Sequence, residues 1–350
     1  MVEFSTSLFC PHSGNPMTID RRELLLFVAS VTAASAIPVH PSEAETSQQV
    51  RVATGLLAMW QSTAWLGAEA GIFKKHGIDL SVPAIAVGGP QAAAGVIRGD
   101  FEFAHTGVLP VAEEVLKGND IVILATPTLE FPNQFVMTQK EITELGQLAG
   151  RKVGVLSETG QTSVATRITI EKAGATATYL PLVRFDRIFA ALAAGEIDAG
   201  ALPVDLRFVG ASRYGWNAFP INEFGTPSIF ASTRRLIASN RELVRRVMRG
   251  FVETIHLFKT QPDLVVPLLQ RYLNIADRKA AEDLYAYHVP VFQKVPKPLL
   301  GNLQNVRDVL AGKYPAAVSL RENDIADASF IEELVQEGFI EHLYGGSSAN

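Results

Sequence analysis

Two strand-to-helix junctions concentrate groups able to hold a small anion. The segment Ser157-Glu158-Thr159-Gly160-Gln161-Thr162-Ser163 leaves a β-branched run and enters a helical one. The first N–H groups of a helix have no partner inside it, the helix dipole adds partial positive charge there, and a glycine lets the backbone curl around an oxyanion. Thr159, Gly160, Gln161, Thr162 and Ser163 are therefore the leading anion-site candidates. The stretch is not a phosphate-binding P-loop, because the Gly-Lys-Ser/Thr ending is missing. Glu158 would repel an anion unless it points away or meets Arg184 or Arg187. Met59-Trp60-Gln61-Ser62-Thr63 repeats the pattern, with the Ser62 and Thr63 hydroxyls as donors and Trp60 as an apolar wall. Ser62 also fits a plain helix cap with Trp60 in the core. Arg207, in Pro203-Val204-Asp205-Leu206-Arg207, or Arg184 after Val183, offers a bidentate grip on a sulfonate or carboxylate. The alternative for Arg207 is a surface pair with Asp205.

Composition narrows the chemistry. The chain has 350 residues, 47% of them hydrophobic, and a formal net charge of −5. That is enough for one large or two medium cores, and it leaves no basic excess to neutralise a nucleic-acid backbone. The single cysteine, Cys10, excludes a disulfide scaffold and a cysteine zinc cluster. The seven histidines show no metal-like spacing, so no metal or cofactor is expected. No G-x-S-x-G elbow, H-E-x-x-H or paired-carboxylate motif is visible.

The elements that must position these groups alternate. Val50–Thr54, Ile78–Val82, Phe101–His105 and Ile121–Ala125 read as strands, with helices between them. The pattern restarts with strands at Phe135–Thr138, Lys152–Leu156, Ala177–Leu182 and Ile197–Leu202, and helices at Gln161–Lys172 and Asp186–Ala194. From Arg234 onward the reading is helical, led by Arg241–Thr260. Repeated strand–helix–strand units predict mostly parallel sheets, hence an α/β fold. Residues 1–44 read as an export signal. Arg21-Arg22 precedes an apolar stretch of about 14 residues, against about 20 needed to span a bilayer. Ser42-Glu43-Ala44 gives a cleavage site near Ala44, and Ala34-Ser35-Ala36 a second one. The arginine pair fits a twin-arginine signal or an ordinary secretory one.

Three stretches carry a family resemblance. They are Ala68-Glu69-Ala70-Gly71-Ile72-Phe73-Lys74-Lys75-His76-Gly77-Ile78-Asp79-Leu80, Leu148-Ala149-Gly150-Arg151-Lys152-Val153-Gly154-Val155, and Ala190-Ala191-Leu192-Ala193-Ala194-Gly195-Glu196-Ile197-Asp198-Ala199. In this order and spacing the chain, from about Val50 to Gly345, resembles the nitrate/sulfonate/taurine/bicarbonate family of periplasmic substrate-binding proteins of ABC importers. The stretches themselves read as helix stops, turn glycines and packing positions rather than ligand contacts.

The resemblance implies a two-lobed, type II periplasmic-binding-protein fold, with a doubly wound sheet in each lobe and a helical C-terminal tail. It divides the chain into a signal peptide (1–44), a first lobe (45–137), a second lobe (138–225) and a return to the first lobe with C-terminal helices (226–350), with crossings near Phe135–Gln139 and Asn222–Ile229. Ligands in such folds sit beyond the carboxyl ends of the strands. That adds Thr106 and Gly107 to the candidates, Pro203 as a cleft residue and Thr226 at the second hinge; His105 fits either a structural role or a ligand contact. The function implied is capture of a small organic anion or related nutrient in the cleft, without chemistry, and delivery to an ABC permease driven by an ATPase, by a monomer in the periplasm. A sensory partner is another role open to such a receptor. The rival reading is a cofactor-free or pyrimidine-precursor-related enzyme on the same fold. Thiamine-pyrimidine synthases and sulfinate desulfinases resembling this family depend on cysteines, and cleavage near Ala44 leaves none.

Overall fold

A computed structural model describes residues 47–54, 58–85, 88–128, 134–222, 228–300 and 303–345. The expected leader, residues 1–44, lies outside them, as does Thr226.

The first run of elements is β1 (Gln48–Thr54), α1 (Ser62–Glu69), α2 (Ile72–Lys75), β2 (Ile78–Ile85), α3 (Gly89–Arg98), β3 (Phe103–Gly107), α4 (Val108–Leu116) and β4 (Val122–Ala125). The second is β5 (Gln134–Thr138), β6 (Lys152–Val155), α5 (Gln161–Lys172), β7 (Thr178–Pro181), α6 (Phe185–Ala193), β8 (Ala199–Pro203), α7 (Val204–Tyr214) and β9 (Asn217–Pro220). The chain then returns through β10 (Ser228–Ser232) to α8 (Arg234–Ser239), α9 (Arg241–Thr260), α10 (Pro262–Leu273), α11 (Arg278–His288), α12 (Leu303–Ala311), α13 (Glu322–Ile325), α14 (Ser329–Gln336) and α15 (Phe339–Leu343).

Two five-stranded sheets result, in the orders β2-β1-β3-β10-β4 and β7-β6-β8-β5-β9. They share one plan. Three parallel strands are followed by an antiparallel strand that a crossing from the other lobe delivers: β10 in the first sheet, β5 in the second. This is the two-lobed α/β fold expected, with the helical tail behind it.

One detail differs from the sequence reading. Phe135–Gln139 was read as the crossing, yet β5 pairs with β8 (Gln134↔Pro203 to Thr138↔Ala199) and with β9, so it belongs wholly to the second sheet. An apolar run announces a buried strand but not the sheet it joins, because the pairing is long-range.

The diagnostic stretches are structural, as read. Gly71 turns from α1 to α2 at φ 70°, a conformation that costs glycine little. The turn delivers Phe73, 1% exposed, beneath the first sheet. There its ring lies between two glycines: a Cβ added at Gly67 would sit 2.6 Å from Phe73 Cε2, and one at Gly250 of α9 2.5 Å from Cδ1. Missing side chains on α1 and α9 are thus what make room for the ring. The apolar face of α9 (Leu243, Val247, Phe251, Ile255, Phe258) is buried, and its start is capped by Asn240, whose side chain accepts the Leu243 N–H at 3.1 Å. Across the sheet, Phe103, Phe230 and Phe251 stack at centroid distances of 5.1 and 4.6 Å.

Candidate functional site

Every parallel strand ends at the side where the lobes meet, and a helix starts there. α1, α3, α4 and α5 follow β1, β2, β3 and β6. None of these four helices has an acidic residue in its first turn, and none has a side-chain hydrogen bond at its N-cap. The Ser62 N–H of α1 is taken by the Met59 carbonyl of a preceding 3-10 turn (Met59–Gln61) and the Leu109 N–H of α4 by Gln161, but none of the four helices carries a charge of its own to offset the positive end of its dipole.

The lobes approach each other at these helix starts. Gln161, the first residue of α5, accepts the Leu109 N–H of α4 on its Oε1 at 3.2 Å. Beside it, a Cβ at Gly88 would lie 3.8 Å from Ser157 Oγ, and one at Gly160 4.0 Å from Pro90 Cδ. The loops 88–90 and 107–109 of the first lobe thus face 157–161 of the second.

Buried polar atoms collect at the same strand ends. Thr54 Oγ1, Ser62 Oγ, Thr63 Oγ1, Thr106 Oγ1 and Thr128 Oγ1 in the first lobe have no hydrogen-bond partner of good geometry among the described residues. In the second lobe the same holds for Gln134 Oε1 and Asp205 Oδ1. A buried polar atom without a partner costs about 1–3 kcal/mol, so folded proteins rarely keep several together unless water or a ligand meets them.

The sequence candidates divide accordingly. Ser62 and Thr63 are buried at the start of α1, with Trp60 3% exposed in the core of the first lobe. Trp65 stacks on Tyr272 at 4.5 Å and is a packing residue. Thr106 is buried against Gly89, whose added Cβ would lie 2.5 Å from its Oγ1. Gly107 and Gln161 touch across the lobes. Gly160 and Ser163 are buried, and the loop is tied internally: Ser157 Oγ accepts the Gly160 N–H at 3.0 Å, and Ser163 Oγ accepts the Ser157 N–H at 3.3 Å. Thr162 is half-buried and its carbonyl accepts from the Thr166 hydroxyl; Thr159 and Glu158 are exposed. Pro203 is buried at the end of β8.

Two arginine readings change. Arg184 lies on the surface and pairs with Asp186 at 2.8 and 3.0 Å, two residues along its own chain, so the bidentate fork is already occupied. The surface pair of Arg207 with Asp205 does not form. The Arg207 guanidinium stacks over Phe135 at 5.1 Å, and its charge reaches the Tyr287 phenol on α11. Asp205 takes part in no ion pair among the described residues, and burial pushes its carboxyl up to about 6. A carboxyl raised from 3.8 favours folding below that pH, and the advantage is lost as pH rises through about 6. Asp205→Asn is therefore expected to stabilise the unliganded chain at pH 7. It also abolishes the wild-type gain in stability between pH 6 and 3.8 that this carboxyl contributes. Denaturant midpoints measured across that range check both.

His105 sits between Phe230 and Phe251, each 5.9 Å away, with no exposed surface. Burial lowers its imidazole to about 3, and a backbone contact with Gln61 opposes this only in part. It is a neutral core histidine below the strand ends. Sequence reasoning missed Thr54, Thr128 and Gln134. Single polar residues in apolar runs stand out only once the sheet shows that they share one end. No group of three or more metal-ligating side chains is found among the described residues.

Comparison with known proteins fits this geometry. The family model described as NMT1/THI5 like matches residues 62–264, more than half of the chain. A binding protein of Brucella abortus (strain 2308) is 24% identical over 263 residues, covering 72% of this chain and 76% of its own length. Among solved structures, a protein of Bordetella bronchiseptica RB50 superposes with a TM-score of 0.69 at 16% identity, covering 83% of this chain and 98% of that one. The alkanesulfonate-binding protein SsuA of Xanthomonas axonopodis pv. citri, bound to MOPS, does so with a TM-score of 0.64 at 16% identity, over 78% and 95%. The periplasmic aliphatic sulphonate-binding protein SsuA of Escherichia coli gives 0.60 at 17%, over 76% and 87%. The fold is that of the periplasmic binding proteins, and the chain belongs to the NMT1/THI5-like family.

Proposed function

We propose that the chain is an extracytoplasmic receptor that captures a small organic anion, such as a sulfonate, taurine or a carboxylate, between its lobes and delivers it to an ABC permease and its ATPase. The observation that carries this reading is the pairing of acid-free helix starts with unpartnered buried hydroxyls at the strand ends. An oxyanion satisfies both at once. Ser62, Thr63, Thr106 and Gly107 would serve it from the first lobe, and Gly160, Gln161, Thr162 and Ser163 from the second. Arg207, stacked on Phe135, and Pro203 at the end of β8 would add to the second lobe's share. The solvent-facing Thr159 is the weakest of the candidates, and Thr226 is kept on the sequence argument alone. Contacts completed only when both lobes close bias the equilibrium toward closure, and the closed form is what a permease would recognise.

Binding without chemistry accords with a mature chain lacking cysteine, and the names of the Brucella relatives and the SsuA structures support it. No helix among the described residues is long and apolar enough to cross a membrane. The test is a thermal-shift panel of alkanesulfonates, taurine, short carboxylates, bicarbonate and nitrate, followed by X-ray scattering. A solute at 100 times its Kd stabilises by about 2.7 kcal/mol and should raise the melting temperature while shrinking the scattering radius. A panel that moves neither quantity overturns the reading; consumption of a bound solute during incubation would point to the enzyme alternative.

A further inference from the structure

Where the lobes meet, the contact is built from a glycine and an amide rather than from opposite charges. Gly107 closes β3 and forms the N-cap of α4 at φ −94°, a conformation open to any residue, so the backbone does not require glycine there. Space does. A Cβ at Gly107 would lie 2.4 Å from Gln161 Oε1 and 2.8 Å from its Cδ. The Gln161 side chain therefore occupies the room that a side chain at Gly107 would take. Its Oε1 accepts the Leu109 N–H at 3.2 Å, one of the α4 donors that no helix carbonyl can reach. The bond joins groups 52 positions apart in sequence and on opposite lobes.

We infer that Gln161 is an interlobe latch: its amide seats in the slot left by Gly107, caps α4 from across the cleft and favours the closed arrangement before any solute arrives. This rests on the reading of the chain as a two-lobed receptor that closes. A neutral acceptor suits the role. A carboxylate at this position would bind the helix start more strongly but would repel an incoming anion, whereas an amide holds the lobes and leaves the charge to the solute. One neutral hydrogen bond shifts the closed-to-open ratio by about 2- to 10-fold, enough to bias closure without locking it.

The test reads interlobe distance on the unliganded mature chain, which has no native cysteine to interfere. Dyes are placed through Lys74→Cys on α2 and Glu196→Cys beyond α6, both exposed. Gln161→Ala is expected to raise the open population about 2- to 10-fold. Gly107→Ala should act in the same direction, because its methyl collides with the Gln161 amide. In the double variant Gly107→Ala/Gln161→Ala the methyl enters the vacated slot, so the distances should match those of Gln161→Ala alone. The latch is overturned if Gln161→Ala leaves the distance distribution of the empty chain unchanged, or if the two single effects simply add. Neither result touches the receptor reading. That reading fails separately, if the solute panel leaves the wild-type distance distribution unaltered.

Discussion

Phe73→Ala should remove about 3–5 kcal/mol of folding stability, a large share of the 5–15 kcal/mol typical of a protein. The ring is 1% exposed and lies between Gly67 on α1 and Gly250 on α9, positions where even one added carbon would come within 2.6 Å of it. Deleting it opens a cavity between two helices that cannot collapse without shifting α9, the longest helix among the described residues. The converse change, Gly250→Ala, overpacks the same spot and should cost about 1–3 kcal/mol. Denaturant midpoints at constant slope measure both. A loss below about 1 kcal/mol for Phe73→Ala would mean that the helices close over the gap, contrary to the rigidity argued here.

Acid should destabilise the fold steeply, through two buried histidines. Burial lowers His105 to about 3 and His288 to about 4, the latter with Nδ1 bonded to the Leu284 carbonyl at 2.8 Å. A histidine whose folded pKa lies below its unfolded value contributes stability that is fully present above about 6.5 and lost as pH falls toward the folded value. The expected loss between pH 6.5 and 4 is on the order of 6 kcal/mol for the pair, at about 1.4 kcal/mol per pH unit per group. His105→Asn should flatten this slope, and Asp205→Asn should steepen it by removing a carboxyl that works in the opposite sense. An unchanged slope in His105→Asn would show that this imidazole does not set the acid limit. The readout is stability measured by denaturant at a series of pH values.

Local patterns revealed much of this architecture. The limits of α9 follow from its amphipathic spacing, and the turn glycines at Gly71 and Gly195 follow from helix stops. These are decided by residues a few positions apart. What the sequence could not reveal is decided at long range. The membership of β5 in the second sheet depends on Pro203 and Pro220, roughly 70 to 90 positions away. The contact of Gln161 with Gly107 depends on how the lobes meet, and the stacking of Arg207 on Phe135 rather than beside Asp205 depends on β5 pairing next to β8 within the second lobe. The hydroxyl-rich loops were visible as composition. Which hydroxyls lack partners is a property of burial, and the loop 157–163 shows the difference: Ser163 is buried and tied to its own loop, while Thr159 faces solvent.

The placement of β10 bears on how the molecule is assembled. This strand lies in the interior of its sheet, between β3 and β4, yet it is supplied some hundred residues after β4, once the second lobe is complete. A nascent chain that has emerged only as far as β9 holds all the strands of the second sheet but leaves β3 and β4 without the strand that joins them. The second lobe can mature early, whereas the first must wait with two open strand edges until Ser228–Ser232 arrives. The interval between β4 and β10 is thus when the polypeptide is most open to aggregation, and when a holding chaperone would matter most.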